Sequence, residues 1–274
     1  MSVAVACHPD IFAANRASGR ITLDAKASGG VTRRARVHEA GSLRVRFPNV
    51  ADGALEAVIV NTGGGMTGGD RFSIGIAVDE DARLVAGTAA AEKIYRSTGR
   101  DAEVDISIKI GAGGRLAWLP QETILFDRAR LSRRITVDLA ANASLLMAEA
   151  VVFGRTAMGE AMQAGHWSDH WRVRRGGKLV FAENARLDGA VADRLRASAV
   201  ANDGIALATV LIAPGDEKTA AALRVLALQG EAGASSWNGI AVARLIARDG
   251  LTLRRDLTAL IAALDQPLPR LWLQ

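Results

Sequence analysis

The chain has 274 residues, of which 49% are hydrophobic, so it is long enough to bury a core and too apolar to be disordered. Its single cysteine, Cys7, excludes an internal disulfide framework, and the chain shows neither a membrane-spanning run nor a basic leader, so a cytoplasmic protein is predicted. The net charge is +5, but the basic residues lie in scattered pairs and aromatics make up only 4%, which argues against nucleic-acid binding.

The first informative segment is a glycine-rich stretch, NTGGGMTGGDR, at residues 61–71. Gly63, Gly65 and Gly68 match the G-x-G-x-x-G spacing of dinucleotide-binding loops, and a strand-like run precedes them. That motif needs a helix after the glycines, because the pyrophosphate binds at a helix N-terminus. Residues 72–78 alternate with period two, which predicts a strand instead. The glycines are therefore predicted to join two strands, where they supply positive φ or a close backbone approach.

Alternation of apolar and polar residues continues along most of the chain, and each such run predicts a strand with one buried face. The clearest runs lie at 43–47, 104–110, 134–139 and 171–174. Glycine turns separate them, as at residues 111–114 and 176–177. Short strands joined by such turns predict an all-β fold, and the pattern alone leaves a sandwich, a barrel and a solenoid open.

Two histidines, His166 and His170, are spaced four residues apart, which on a helix would suit a metal pair. A strand is predicted here, and residues i and i+4 of a strand lie roughly 13 Å apart, although a loop would still let them converge. The chain contains no G-x-S-x-G and no H-E-x-x-H motif, and nothing in it identifies a nucleophile with its base. These residues therefore do not predict an enzyme.

Two segments in the C-terminal third have helical spacing instead. They lie at 216–228, preceded by Pro214 and Gly215, and at 253–264, ended by Pro267. An apolar stripe on each helix would face either the core or a partner, and core packing is the commoner outcome.

Several blocks of the chain, in one order, resemble the urease accessory proteins of the UreD/UreH family. The first is Gly64-Gly65-Met66-Thr67-Gly68-Gly69-Asp70-Arg71. The others lie at 88–96, at 118–124 with Phe126 and Asp127, at 153–160, at 171–189, and at 237–239 together with 268–272. The resemblance covers roughly residues 30–274, and its strength comes from the shared order of the blocks.

The resemblance implies a single elongated all-β domain over residues 31–274, built of stacked sheets like a β-helix, with two helices in the C-terminal third. Residues 1–30 match nothing in the family and form an N-terminal segment that need not be ordered. The resemblance also implies a non-catalytic urease maturation factor. Such a scaffold, together with UreF and the GTPase UreG, docks on apo-urease and helps deliver nickel. No cofactor is permanently bound, and nickel passes transiently, by an internal channel.

The implied site residues fall into three groups. Transient nickel ligands are sought among carboxylates in the matching blocks, namely Asp70, Glu122, Glu160 and Glu183. The structural motif comprises Gly64, Gly65, Gly68, Gly69, Asp70 and Arg71, and a partner surface is sought at Trp237, Pro269, Arg270 and Trp272. Two alternatives remain: an enzyme or a sugar-binding module on a β scaffold that uses the loop from Gly63 to Gly69 for a small anionic ligand.

Overall fold

The structure is a computed structural model that describes residues 15–49, 53–265 and 268–272. Within these ranges the chain is mostly strand, with three α-helices and short 3₁₀ turns late in the fold. The strands are β1 Ser18–Ser28, β2 Val31–Gly41, β3 Leu43–Arg46, β4 Leu55–Asn61, β5 Arg71–Val78, β6 Arg83–Thr88, β7 Glu92–Ile94, β8 Ala102–Ile110, β9 Arg115–Trp118, β10 Thr123–Leu125, β11 Arg130–Leu139, β12 Ser144–Arg155, β13 Glu160–Ala161, β14 Gly165–Arg175, β15 Lys178–Gly189, β16 Ala206–Ala213, β17 Glu231–Trp237 and β18 Ile240–Ala247. The helices are α1 Val191–Arg196, α2 Glu217–Arg224 and α3 Gly250–Ala263.

From β4 to β14 the chain passes back and forth between two sheets. Each time it comes back to a sheet, it usually adds one more parallel strand to that sheet. Sheet A has the order β15-β14-β11-β8-β5-β1-β2, in which β1, β5, β8, β11 and β14 are parallel. Sheet B has the order β17-β18-β16-β12-β9-β6-β4-β3, in which β4, β6, β9 and β12 are parallel. Stacked coils of this kind confirm the predicted all-β, β-helix-like architecture.

The parallel blocks end in antiparallel strands at both edges. In sheet A, β2 pairs with β1 and β15 pairs with β14 in antiparallel register. In sheet B, β3 and β16 close the parallel block in the same way. The strand β1 falls within the predicted N-terminal segment, and it lies inside sheet A, whereas residues 1–14 lie outside the described ranges.

A third, short parallel ladder forms at one corner of the coils. Met66 bridges to Ile94, β7 pairs with β10, and β10 pairs with the last part of β12. Met66, β7, most of β10 and Phe153 at the paired end of β12 belong to different blocks of the family resemblance. Because equivalent turns of successive coils stack on one another, segments far apart in sequence meet at this corner.

The main core lies between the two sheets, and a second core covers the outer face of sheet B. In β11 buried and more exposed positions alternate over most of the strand, because the outer face of sheet A is wet. In β12 every residue between the two ends is buried, because sheet B is covered on both faces. The sequence pattern of each strand thus records how many of its faces are packed.

Helices α2 and α3 pack over sheet B and confirm the two helices predicted in the C-terminal third. Asp249 caps α3 by accepting from Thr252 N at 2.8 Å, and Asp216 forms a capping box with Thr219. Burial of the α3 stripe contributes about 1.5–3 kcal/mol for each large apolar side chain. That stripe consists of Leu253, Leu257, Leu260 and Ile261. Helix α2 is shorter than predicted: it ends at Arg224, whose Nε donates to Ala234 O on β17 at 2.7 Å.

Candidate functional site

The glycine-rich loop joins two strands, as predicted. It follows β4 and leads directly into β5. Most of its backbone N–H groups are used within the chain; Met66 N, for example, donates to Lys93 O at 2.7 Å, and Gly69 N donates to Asp101 O at 2.9 Å. A phosphate cradle needs such donors unpaired and aimed at the ligand. The loop therefore lacks the geometry of a dinucleotide-binding turn.

Both reasons that the sequence offered for the glycines are present in the loop. Gly69 has φ +92°, a conformation that side chains rarely adopt. Gly68 has an ordinary φ, but a Cβ there would lie 1.9 Å from Ser97 Oγ and 2.3 Å from the carbonyl oxygen of Arg100. The loop is thus fixed by backbone conformation at one glycine and by close approach at the next.

Asp70, a candidate nickel ligand, is buried and holds the loop to the start of the fold. Its Oδ1 accepts from Ala17 N at 2.8 Å, and its Oδ2 accepts from Thr67 N at 2.8 Å. Asp70 N in turn donates to Thr67 O at 3.1 Å. Both carboxylate oxygens are therefore engaged by backbone amides, which is the turn-capping role open to an aspartate here.

An ionic cluster lies between the two sheets, inside the main core. Arg133 on β11 donates from Nε to Asp169 Oδ1 at 3.0 Å, and its other nitrogens bond to Asp169 Oδ2 and Glu149 Oε2. Trp118 Nε1 donates to Glu149 Oε1 at 2.7 Å. The three charged side chains are only 4–6% exposed. Together they connect β11, β12 and β14 across the interior.

Two cavities meet at this cluster. The first, the glycine-loop cavity, has a volume of about 170 Å³ and runs from exposed Gly64 and Lys93 to Arg133 and Glu149. The second, the tryptophan cavity, has a volume of about 240 Å³ and runs from Arg133 and Glu149 to exposed Arg244. The cluster therefore stands between two voids that reach different sides of the protein.

The tryptophan cavity is lined by two buried indole groups whose N–H donors have no partner in the described part of the chain. They belong to Trp167 and Trp171. Buried donors are nearly always satisfied by protein or water. A cavity that combines such donors with Asp169 and Glu149 suits a polar or hydrated guest better than an apolar one.

Burial and neighbouring charge shift the protonation of this interior. Burial raises the pKa of Glu149, as does the nearby Asp169, while Arg133 acts in the opposite direction. Burial also works against the charge on Arg133, but the two carboxylates outweigh it and hold its pKa above the ordinary value. At the mouth of the glycine-loop cavity, burial raises the pKa of Glu92 to about 7 even though Asn61 Nδ2 donates to it at 2.9 Å.

The other candidate nickel ligands, Glu122, Glu160 and Glu183, each form an ion pair with an arginine side chain. Glu122 pairs with Arg254 at 2.7 Å, and Glu160 and Glu183 pair with arginines on neighbouring segments. Glu183 alone of the four candidates lines one of the two cavities described above. Among the described residues no group of three or more His, Cys, Asp and Glu side chains is arranged to hold a metal ion.

His166 and His170, weighed as a candidate metal pair, both lie on β14, so the strand predicted here is confirmed. His166 Nδ1 lies 3.1 Å from Asp188 Oδ1, and His170 Nε2 lies 2.8 Å from Ser168 Oγ. Each ring thus has its own local hydrogen-bond partner. The shared metal pair that a helix would have allowed does not form.

The predicted partner residues are divided between core and surface. Trp272 is 7% exposed and donates from Nε1 to Leu119 O at 3.0 Å, and Pro269 is also buried. Trp237 is 41% exposed and Arg270 is exposed. A partner surface in this region would therefore depend on Trp237 and Arg270, since the other two side chains are buried.

Comparison with known proteins agrees with the sequence blocks. Residues 17–273 match the family described as UreD urease accessory protein. A protein from Rhodopseudomonas palustris (strain HaA2), named urease accessory protein UreD, is 56% identical over 266 residues, which is 96% of this chain and 95% of that one. A protein of the same name from Bradyrhizobium diazoefficiens is 54% identical and covers 96% of both chains. No helix in the described ranges is long and apolar enough to cross a membrane.

Proposed function

This chain belongs to the UreD family of urease accessory proteins, and on that premise we propose that it is a non-catalytic, cytoplasmic scaffold that delivers nickel to apo-urease together with UreF and UreG. The family gives the role in urease maturation. The observation that carries the finer proposal is the ionic cluster between two cavities. Glu149 and Asp169 place two carboxylates in an otherwise apolar core, where the glycine-loop cavity meets the tryptophan cavity.

The donor set suits a cation that has to move on. Divalent nickel accepts carboxylate, carbonyl and imidazole ligands, and weak successive sites favour transfer over storage. Glu92 stands at one mouth, Glu149 and Asp169 stand in the middle, and Glu183 lines the far cavity. No three of these residues form a closed metal site. Nickel is thus the cargo of this path.

Arg133 supplies the charge balance in the resting interior. A buried carboxylate pair without a counter-ion is costly, and the guanidinium offsets that cost. A dication that enters the cluster competes with Arg133 for Glu149 and Asp169.

A variant whose ionic cluster carries no charge tests the proposed nickel path. The triple variant Arg133→Met, Glu149→Met, Asp169→Leu removes every charge of the cluster and leaves apolar side chains, an exchange that buried ionic groups often tolerate in stability. Purified variant, UreF, UreG with GTP and apo-urease are incubated with nickel, and the nickel content and urease activity are measured. We expect activation to fall on the order of tenfold or more, as for loss of metal-orienting groups.

A matched control makes the same charge change on the wet face of sheet A. Arg134 pairs with Asp105 at 3.0 Å, and Asp138 lies on the same outer face of β11 as Arg134; all three are exposed. The variant Arg134→Gln, Asp105→Asn, Asp138→Asn should activate urease like the parent. If the interior variant folds, assembles with its partners and still activates urease fully, nickel does not pass through the interior. If it folds but no longer assembles, the cluster acts on assembly instead.

A further inference from the structure

A groove lined by arginines lies beside the glycine-rich loop and shares no lining residue with the two cavities of the proposed nickel path. It has a volume of about 560 Å³ and is lined by Arg16, Arg71, Arg100 and Arg130, by the carboxylates Asp101 and Glu103, and by small residues that include Gly69. Four guanidinium groups face two carboxylates, so the lining carries two positive charges in excess. We propose that this arginine groove binds an acidic segment of a partner protein.

Two of the four arginines already form ion pairs with the carboxylates of the groove. Arg130 Nε donates to Asp101 Oδ1 at 2.7 Å, and Arg71 Nε lies 3.2 Å from Glu103 Oε2. Arg16 and Arg100 have no carboxylate partner within the described ranges of the chain. An incoming carboxylate therefore finds two guanidinium forks with their donors available, the arrangement that favours bidentate pairing.

The backbone fixes the position of Arg16. Ala17 N donates to Asp70 Oδ1 at 2.8 Å, and Ala17 O accepts from Arg71 N at 3.0 Å. The aliphatic part of Arg16 lies over Gly69, where an added Cβ would be only 3.2 Å from Arg16 Cδ. The Gly-Gly-Asp-Arg block thus forms one wall of the groove and anchors the arginine beside it.

The shape of the groove favours a peptide over a small phosphate. Phosphate sites depend on backbone N–H groups that converge on the ligand. Here Gly69 N donates to Asp101 O at 2.9 Å, and Arg71 N is engaged by Ala17. The unpaired arginines come from two segments, one before β1 and one before β8, and the volume lies in the usual range for ligands larger than one ion. Two carboxylates spaced along an extended chain would match them.

Fluorescence anisotropy tests the groove with a labelled hexapeptide of alternating Glu and Asp, titrated with the full chain at low and at moderate salt. We expect saturable binding that weakens as salt rises. The variant Arg16→Gln, Arg100→Gln should bind about tenfold more weakly, since it loses two charge-assisted contacts. These two side chains have no carboxylate partner of their own in the described part, so thermal unfolding should be unchanged.

The control variant Arg20→Gln, Arg174→Gln removes the same charge from exposed positions on the outer face of sheet A. It should bind the peptide within about twofold of the parent, because distant surface charges are screened. Equal weakening in both variants would reduce the binding to unspecific attraction and overturn the proposal. Full displacement of the peptide by inorganic phosphate at equal charge concentration would make the groove a small-anion site instead. Absence of binding by the parent would also overturn it.

Discussion

Substitutions in the glycine-rich loop should separate backbone conformation from close contact. At Gly64, which has φ +75°, an added Cβ meets nothing within 4 Å, so Gly64→Ala measures the conformational cost alone. That cost is about 1 kcal/mol of unfolding free energy. Gly68 reverses the situation, since its φ is ordinary and its Cβ would overlap two atoms at 1.9 and 2.3 Å.

The overlap at Gly68 should cost more than the conformation at Gly64. One of the two atoms is the carbonyl oxygen of Arg100, which cannot rotate away as a side chain can. We expect Gly68→Ala to lower the unfolding free energy by about 3 kcal/mol, as overpacking does. Gly69→Ala combines positive φ with a soft contact to Arg16 and should cost about 1–2 kcal/mol. Valine at either Gly68 or Gly69 should cost more than alanine, because a β-branched side chain fits neither situation.

Equilibrium unfolding in urea, followed by tryptophan fluorescence, measures these differences as shifts in midpoint at constant slope. A second variant checks the assignment at Gly68. Adding Ser97→Gly removes the 1.9 Å contact but leaves the carbonyl, so it should restore only part of the loss. If Gly68→Ala proves no more destabilising than Gly64→Ala, the close approach does not hold the loop, and a ligand role for these glycines would have to be reconsidered.

Three further predictions concern protonation, the C-terminus and ligands. The pKa of Glu92 is about 7 in the folded state and 4.5 ordinarily, so the folded state retains this proton up to a higher pH than the unfolded state does. The unfolding free energy therefore falls as the pH rises from about 4.5 to 7. With discounting for partial exposure, the loss is about 1–2 kcal/mol, and urea unfolding at pH 5 and 7.5 should show it in the parent but not in Glu92→Gln. Trp272→Ala should lower the unfolding free energy by about 3 kcal/mol, measured in the same way; an unchanged midpoint would place Trp272 outside the core. Calorimetry of the isolated chain should show only weak nickel binding and no saturable ATP, GTP or NAD binding at millimolar ligand; tight binding of either kind would contradict the donor geometry described above.

The strands and the glycine connection were predictable because each depends on a pattern of residues that are close together in the sequence. Alternation along 104–110 and 134–139 reflects one wet face, and the strand after Gly69 was identified by the same period. The choice among sandwich, barrel and solenoid was not predictable from these patterns. It depends on which strands pair, and pairing between coils joins residues far apart in sequence. The family resemblance supplied that information.

The ionic cluster was missed although its signal is in the sequence. Arg133 is in phase with Leu131 and Ile135, both buried, and so must point inward with them. In the sequence, Arg133 belongs to one of several scattered basic pairs, and that pattern predicts a solvated position. Asp169 lies between Trp167 and Trp171 in the same phase, and Glu149 interrupts an apolar run.

The candidate carboxylates were taken from the matching blocks rather than from this phase. Most of them were consequently found in ion pairs or turn caps outside the two cavities, with Glu183 as the exception. Which carboxylates lie near the buried cluster could not have been predicted, because that depends on which coil lies over which.

The hairpins at both edges of the parallel blocks set the length of the molecule. A parallel coil has no internal reason to stop, because its last strand offers the next one a row of unpaired amides and carbonyls. In sheet A the strands β2 and β15 run antiparallel to their neighbours, so the chain reverses there and no longer continues the parallel coil. The charged residues Arg33, Arg34 and Arg36 on β2 discourage pairing further. The reversal of the chain and the charge at the edge thereby end the coils of sheet A, so the chain itself sets the number of parallel rungs in its described part.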